Sequence, residues 1–351
     1  MQMNALNSEL QQTVQHNCDI SDARFARDYS LCVYLLRMQE HYRWRNSLSL
    51  TGPIDGEVLG NWVRETEDYW DTIEETEFKP LTINKTTYHP FDNEAINRAL
   101  EDSPLVYTAG YGRLGQPHFV LAECLQRSNA PFPQLELGRE IARDSITLPA
   151  MSRDGTIIIR HDAINRMLWQ MTAEWRLREA PGPMARLLAH YHIDANHPHE
   201  DRITAAATDL SPVFIHHEQG EIVANKHLGG DYVDMLVSLQ GKPGEGYIRA
   251  VGDLLADALG TWPYLVEHQA STHLDFWLAG LQGIRESILQ PVGLQQRLLD
   301  SGNAIKELSV HIDKEQQRWE FVAKQLMTEF NRQGTGFDYK TTIEQAVQKK
   351  P

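Results

Sequence analysis

The chain has 351 residues and a formal charge of −15 at pH 7, from 33 Lys and Arg against 48 Asp and Glu. This acidic excess disfavours binding to nucleic acid, because that binding is driven by basic side chains that neutralise phosphates. A hydrophobic fraction of 41% and a charged fraction of 23% are typical of a globular protein and not of a disordered one. We therefore expect a folded protein that has no nucleic-acid partner.

The N-terminal residues lack the basic and apolar regions of a signal peptide, and no stretch approaches the roughly 18 uncharged apolar residues of a membrane helix. The three cysteines are Cys18, Cys32 and Cys124. Their number and spacing argue against a disulfide framework and against a structural zinc site. The sequence therefore predicts a cytoplasmic protein with reduced thiols and no membrane contact.

The N-terminal part has mostly the apolar periodicity of α-helices. The spacing predicts a helix that begins near Ser21, and a second one for which Asp55 is the N-cap. The apolar stripe of the first helix consists of Phe25, Tyr29, Cys32, Val33 and Leu36. The apolar stripe of the second helix continues to Ile73. Its opposite face is acidic over residues 65–77, and we expect that face to be exposed to water. Two shorter helices are predicted at residues 92–101 and 117–127.

A loop with three glycines is predicted between the two shorter helices, at residues 107–115. Backbone N–H groups of such a loop before a helix can bind phosphate. The loop does not match the pattern of a P-loop, and no predicted strand precedes it, so it carries no nucleotide-cofactor motif. We interpret it as a structural loop.

The strongest strand signal lies at about residues 145–160, where two β-branched runs flank the turn pair Asp154 and Gly155. Helical periodicity resumes after His161 and continues to a long helix at residues 303–332. The apolar stripe of that last helix is close to heptad spacing, so it either packs on the protein body or forms the seam of a homodimer. The predicted fold is mainly α, a multi-helix bundle-like architecture with one small β-hairpin.

The predicted organisation has three parts. Residues 1–144 form an N-terminal helical lobe, and residues 145–338 form the hairpin and a C-terminal helical lobe. The two lobes could also form one compact domain. Residues 339–351 are predicted to be a polar tail.

The histidines are concentrated at His190, His192, His197 and His199. The segment from His190 to Asp194 resembles the first half of the HxHxDH motif of metallo-β-lactamase-like hydrolases. The next histidine follows Asp194 by three residues instead of one, so the motif is not completed. We interpret the cluster as a polar loop between helices, with a metal-dependent hydrolase site as the alternative.

Ionisable residues on apolar helix faces are more informative, because a buried charge must be paired, neutralised or bound to a metal. Four residues satisfy this criterion: Glu40, His217, Glu221 and His273. His217 and Glu221 are four residues apart, which places them on one helix face about one turn apart. Two carboxylates and two imidazoles form a ligand set suited to iron or manganese. These four residues are our predicted metal ligands.

Each predicted ligand also has a simpler interpretation. Glu40 could pair with Arg37 or Arg43 at helical spacing, and His273 could be a hydrogen-bonded core histidine. Gly220 lowers helix propensity between His217 and Glu221, so a hairpin is an alternative there. A dinuclear site would need further ligands, for which Glu218 and Glu174 are candidates. Asp253 and Asp257 form another i,i+4 pair, either buried between close helices or exposed to solvent.

These patterns favour a metal-dependent enzyme with a small-molecule substrate, using non-haem iron or manganese for redox or oxygen chemistry. One alternative is a non-catalytic interaction protein that holds a protein partner through the acidic face or the long C-terminal helix. The hydrolase at His190–His199 is a second alternative. The sequence contains no GxSxG motif, and no cysteine has an obvious histidine partner nearby in sequence, so neither serine nor cysteine nucleophilic catalysis is specifically favoured.

Overall fold

The computed structural model describes residues 2–26, 30–112, 115–129, 131–146, 148–153 and 155–349. The chain is 64% helical, as predicted, but it contains a five-stranded mixed sheet and a two-stranded sheet. The prediction of a single small β-hairpin was therefore wrong. The chain divides into two compact units, one of residues 1–128, 135–149 and 160–169, the other of residues 129–134, 150–159 and 170–351.

The first unit combines helices with most of the strands. Its helices are α1 (Gln2–Phe25), α2 (Leu31–Arg45), α3 (Gly56–Ile73), α4 (Asn93–Ala99) and the beginning of α5 (His161–Arg176). Its strands are β1 (Leu81–Ile83), β2 (Thr86–Tyr88), β3 (Leu105–Tyr111), β4 (Pro117–Ser128) and nearly all of β5 (Gln134–Arg143). α1 supplies Leu10, Val14 and Cys18 to a core that also contains Phe119 and Ile83.

The two N-terminal helix predictions had different outcomes. Asp55 caps α3 as expected, because its side chain accepts hydrogen bonds from the backbone N–H groups of Glu57 and Val58. In place of the single helix predicted from Ser21, the structure has the end of α1 and a separate helix α2. Residue 29, which belongs to the predicted apolar stripe of that helix, lies outside the described residues. Leu36 is exposed whereas Met38 is buried, so α2 turns a different face inward from the one predicted.

The largest correction concerns residues 105–128. Residues 117–127, predicted as a helix, belong to β4, and most of the predicted glycine loop is β3, with Tyr107 paired to Leu121. Both strands are buried over six consecutive residues. Because both faces of these strands are covered, their sequences lack the apolar–polar alternation that identifies a half-buried strand.

The predicted hairpin exists as β6 (Ala150–Arg153) and β7 (Thr156–Arg160), although it begins later than residue 145. Arg153 pairs with Thr156, and Gly155 has a φ of 75°, a conformation that glycine adopts without strain. Residue 154 lies outside the described residues. The strand order of the five-stranded sheet is β3-β4-β5-β7-β6.

Two groups of ionisable side chains are buried in the first unit. Glu140 is fully buried and contacts three arginines, Arg143 at 3.4 Å and both Arg160 and Arg166 at 2.7 Å. Burial disfavours its ionised form, but the three guanidinium groups outweigh burial and hold the pKa of Glu140 well below its usual range. The carboxylate is therefore ionised throughout the physiological pH range.

The second group is a pair of buried carboxyls, Asp22 and Asp144. Asp22 accepts hydrogen bonds from the backbone N–H of Ser145 at 2.9 Å and from its hydroxyl at 2.6 Å. Burial, together with the neighbouring Asp144, raises the pKa of Asp22 well above its usual range. Burial also raises the pKa of Asp144 to about 6.

The second unit contains β6, most of β7 and the remaining helices. These helices are α6 (Pro183–His190), α7 (Glu200–Leu228), α8 (Gly230–Ser238), α9 (Glu245–Ala256), α10 (Trp262–Glu267), α11 (Ser271–Ala279), α12 (Gly283–Leu289), α13 (Leu294–Asp300), α14 (Ala304–Gln333) and α15 (Tyr339–Gln348). A π-helical turn at Asp257–Thr261 connects α9 to α10. In this unit α7 packs against α9, the π-helical turn and β6.

The long C-terminal helix packs on the protein body, which is the first of its two expected arrangements. The apolar stripe of α14 is buried within the second unit, including Leu308, Trp319 and Leu326. The segment predicted as a polar tail contains α15, in which Ile343 and Val347 are buried. Among the described residues, no helix is long and apolar enough to cross a membrane.

Candidate metal centre

His217 and Glu221 lie one turn apart near the middle of α7. The segment around Gly220 is helical, so the hairpin alternative is not formed there. His217 Nε2 is 3.7 Å from Glu221 Oε1. Both side chains are partly exposed, which leaves their ligand atoms accessible to an ion.

Asp253, from α9, provides a third potential ligand. One ligand atom from each of His217, Glu221 and Asp253 lies within 4.8 Å of the others. A metal ion with bonds of about 2 Å holds its ligands up to about 4 Å apart, so small side-chain movements would let all three bind one ion. Among the residues that the structure describes, His217, Glu221 and Asp253 are the group whose ligand atoms all lie within 4.8 Å of one another.

Asp257 orients the imidazole of His217. Its Oδ1 accepts a hydrogen bond from His217 Nδ1 at 2.8 Å and another from the hydroxyl of Thr261 at 2.9 Å. Its Oδ2 accepts from Trp277 Nε1 at 2.9 Å and from Arg285. The Asp257 carboxylate thus accepts hydrogen bonds from four donors, one of which is His217 Nδ1. The other ring nitrogen of His217, Nε2, faces Glu221.

The ionisation of Asp257 and His217 strengthens the hydrogen bond between them. Burial alone would raise the pKa of Asp257, but Arg285 and His217 lower it to about 2. Burial alone would lower the pKa of His217, but Asp257 and Glu221 outweigh burial and raise it to about 10. A proton and a metal ion would therefore compete for Nε2, which makes metal binding dependent on pH.

Two glycines allow the site to form, because they bring its two helical segments into backbone contact. A Cβ atom at Gly220 would lie 2.0 Å from the carbonyl oxygen of Ala256. A Cβ atom at Gly260 would lie 1.9 Å from the carbonyl oxygen of His216. Any side chain at either position would push α7 away from α9 and the π-helical turn.

The other two predicted ligands have different partners. Glu40 belongs to the first unit, is buried and forms an ion pair with Arg43 at 3.5 Å. His273 belongs to the second unit, where its Nδ1 is 2.9 Å from the hydroxyl of Tyr264 and its Nε2 is 3.5 Å from Asp209. The group formed with Asp253 therefore contains His217 and Glu221 of the predicted set, and the ligand roles of Glu40 and His273 stay predictions.

Asp253 and Asp257 belong to the candidate site, although neither is in the predicted ligand set. Their i,i+4 spacing was visible, and the small residues beside them pointed to close helix packing. Asp257 is 1% exposed, which agrees with the interpretation of burial between close helices. The four histidines at 190–199 are exposed, and so is Glu174.

Comparison with known protein families identifies the family to which the chain belongs. The N-terminal domain model of a family of unknown function, DUF6866, matches residues 9–160, and the C-terminal domain model of that family matches residues 165–350. The chain belongs to the DUF6866 family. No curated protein and no solved structure matches it.

The C-terminal DUF6866 domain contains the whole candidate metal centre. His217, Glu221, Asp253 and Asp257 all lie within the matched residues 165–350. The family description names no activity.

Proposed function

We propose that the DUF6866 C-terminal domain binds a divalent transition metal through His217, Glu221 and Asp253, and that the protein is a metal-dependent enzyme. The observation that carries the proposal is the hydrogen bond from His217 Nδ1 to Asp257 Oδ1 at 2.8 Å. Histidines that bind metals almost always donate their second ring N–H to a carboxylate, a carbonyl or water, which fixes the tautomer and orients the other nitrogen toward the ion.

The donor set favours iron or manganese. Carboxylate oxygens are hard ligands and imidazole is intermediate, and this combination suits Fe(II) and Mn(II), with zinc as an alternative. Three protein ligands would leave coordination positions free for water or a small-molecule substrate. Such an ion would supply redox or oxygen chemistry, whereas the protein residues hold it and limit the movement of His217.

Metal analysis of the purified full-length chain tests the proposal. We expect the wild-type protein to retain transition metal after anaerobic purification, and Asp253→Asn to lose most of it, because one of three ligands becomes a neutral amide. Asp234→Asn is the matched control, since Asp234 is exposed on α8 of the same unit. The control should retain as much metal as the wild type.

Two results would contradict the proposal. One is a wild-type protein that contains no transition metal and binds none when Fe(II) or Mn(II) is added to the purified chain. The other is an Asp253→Asn variant that retains metal as the wild type does. Circular dichroism of both variants would show whether lost metal reflects lost folding.

A further inference from the structure

Glu218, directly after His217 on α7, has a buried carboxylate that lacks a partner for one of its oxygens. The residue is 6% exposed. Its Oε2 atom is buried and has no hydrogen-bond partner among the described residues. An unpaired buried carboxylate oxygen is costly, so native proteins normally provide a donor or a cation for it.

The same carboxylate lies beside the candidate metal centre. The hydroxyl of Ser152, on β6, is 3.4 Å from Glu221 Oε2 and also hydrogen-bonds to Glu218. A serine hydroxyl has one proton, so it can donate to only one of these two carboxylates at a time. Glu218 and Glu221 thus share one neutral donor, which is too little to satisfy two carboxylates.

The surrounding charges also favour a further cation. Asp257 forms an ion pair with Arg285, and the cations that act on Glu221 are His217 and Arg249. Arg249 is close enough to act on Glu221, but its guanidinium is hydrogen-bonded to Glu245 at 2.8 Å. With a neutral His217, one divalent ion would offset two of the three negative charges of Glu218, Glu221 and Asp253 and leave one.

We infer that Glu218 is a ligand of a second divalent cation, which Glu221 shares with the first. This inference rests on the proposed function, since it extends the same site. Glu218 is absent from the group formed by His217, Glu221 and Asp253, as expected for a ligand of a neighbouring ion. Two ions about 3.5–4 Å apart can be bridged by one carboxylate. Mn(II) or Fe(II) suits this set of oxygens.

Titration of the metal-free full-length chain with Mn(II) tests the inference, with electron paramagnetic resonance used to count free and bound ions. We expect two ions per wild-type chain and a spectrum broadened by coupling between neighbouring ions. Glu218→Gln should bind one ion and lose the coupling. Glu286→Gln is the matched control, because Glu286 is exposed on α12, and it should bind two ions.

The possible failures are distinguishable. A wild-type chain that binds one ion, lost in Asp253→Asn, would overturn the second cation and leave the proposed function intact. A wild-type chain that binds no ion would overturn both. A Glu218→Gln variant that still binds two coupled ions would overturn the role of Glu218. If circular dichroism shows that this variant does not fold, the wild-type count and its coupling decide the question.

Discussion

Replacement of Gly220 by alanine tests the close packing on which the metal centre depends. In an isolated helix Gly220→Ala would be favourable, because alanine has the higher helix propensity by about 1 kcal/mol. In this structure the added Cβ would meet the backbone of Ala256 at 2.0 Å. Van der Waals contact of a Cβ atom with another heavy atom normally begins at 3.4 Å. The two helices α7 and α9 would therefore have to separate by more than about 1 Å.

The expected loss of stability depends on the atoms that the new methyl group contacts. Overpacking of a core costs about 1–3 kcal/mol, and we expect the upper end because a backbone carbonyl cannot rotate away as a side chain can. For a unit of this size that cost corresponds to a melting temperature lowered by roughly 5–10 °C. Metal affinity should also fall, since His217 and Glu221 would move away from Asp253.

Urea unfolding followed by circular dichroism measures the stability change, and Mn(II) titration measures the change in affinity. Gly60→Ala is the matched control, because Gly60 is exposed within α3 and a Cβ there meets nothing within 4 Å. This control should stabilise the protein by about 0.5–1 kcal/mol. A Gly220→Ala variant as stable as the wild type would refute the close approach of the two helices.

Three further predictions follow from the buried charges. Asp257→Asn should lower metal affinity by about 10–100-fold, measured by the same titration, because it replaces the charged acceptor that orients His217 with a neutral amide; unchanged affinity would contradict that role. Glu140→Gln should cost about 3–5 kcal/mol in urea unfolding, since it leaves three buried arginines without a carboxylate. The exposed Glu94→Gln should change stability by less than about 1 kcal/mol, and similar effects of both would refute the reasoning. Because the folded state raises the pKa of Asp22, its contribution to stability is present at low pH and is lost as pH rises through the folded value. Asp22→Asn should therefore lose less stability than the wild type between pH 4 and pH 8 in urea unfolding, and parallel pH profiles would contradict this.

The sequence predicted those parts of the fold that depend on local patterns. Asp55 identified the beginning of α3 because an N-cap acts within three residues of itself. The strand at residues 117–128 was not predictable in the same way. Its residues from Pro117 to Ala122 are all buried, so their pattern carries information about burial and none about helix or strand period.

The candidate site shows the same limit. The spacing of His217 and Glu221 was sufficient to place them on one helix face. Asp253 lies 32 residues beyond Glu221 in the chain, and only the packing of α9 on α7 brings it to them. Gly220 counted against a helix in the sequence, whereas in the structure it is the residue that permits this packing.

The π-helical turn at Asp257–Thr261 has a consequence for chain length. Such a turn contains one residue more than an α-helical turn, and each residue rotates a helix by about 100°. Deletion of one residue there would restore a regular helix, but it would rotate Trp262 and all that follows relative to Asp253. An amino-acid replacement in this turn keeps the register of the helix, whereas a one-residue deletion would change the relative orientation of every group after it. We therefore expect DUF6866 chains that share this site to share the length of this segment as well as Asp257 and Gly260.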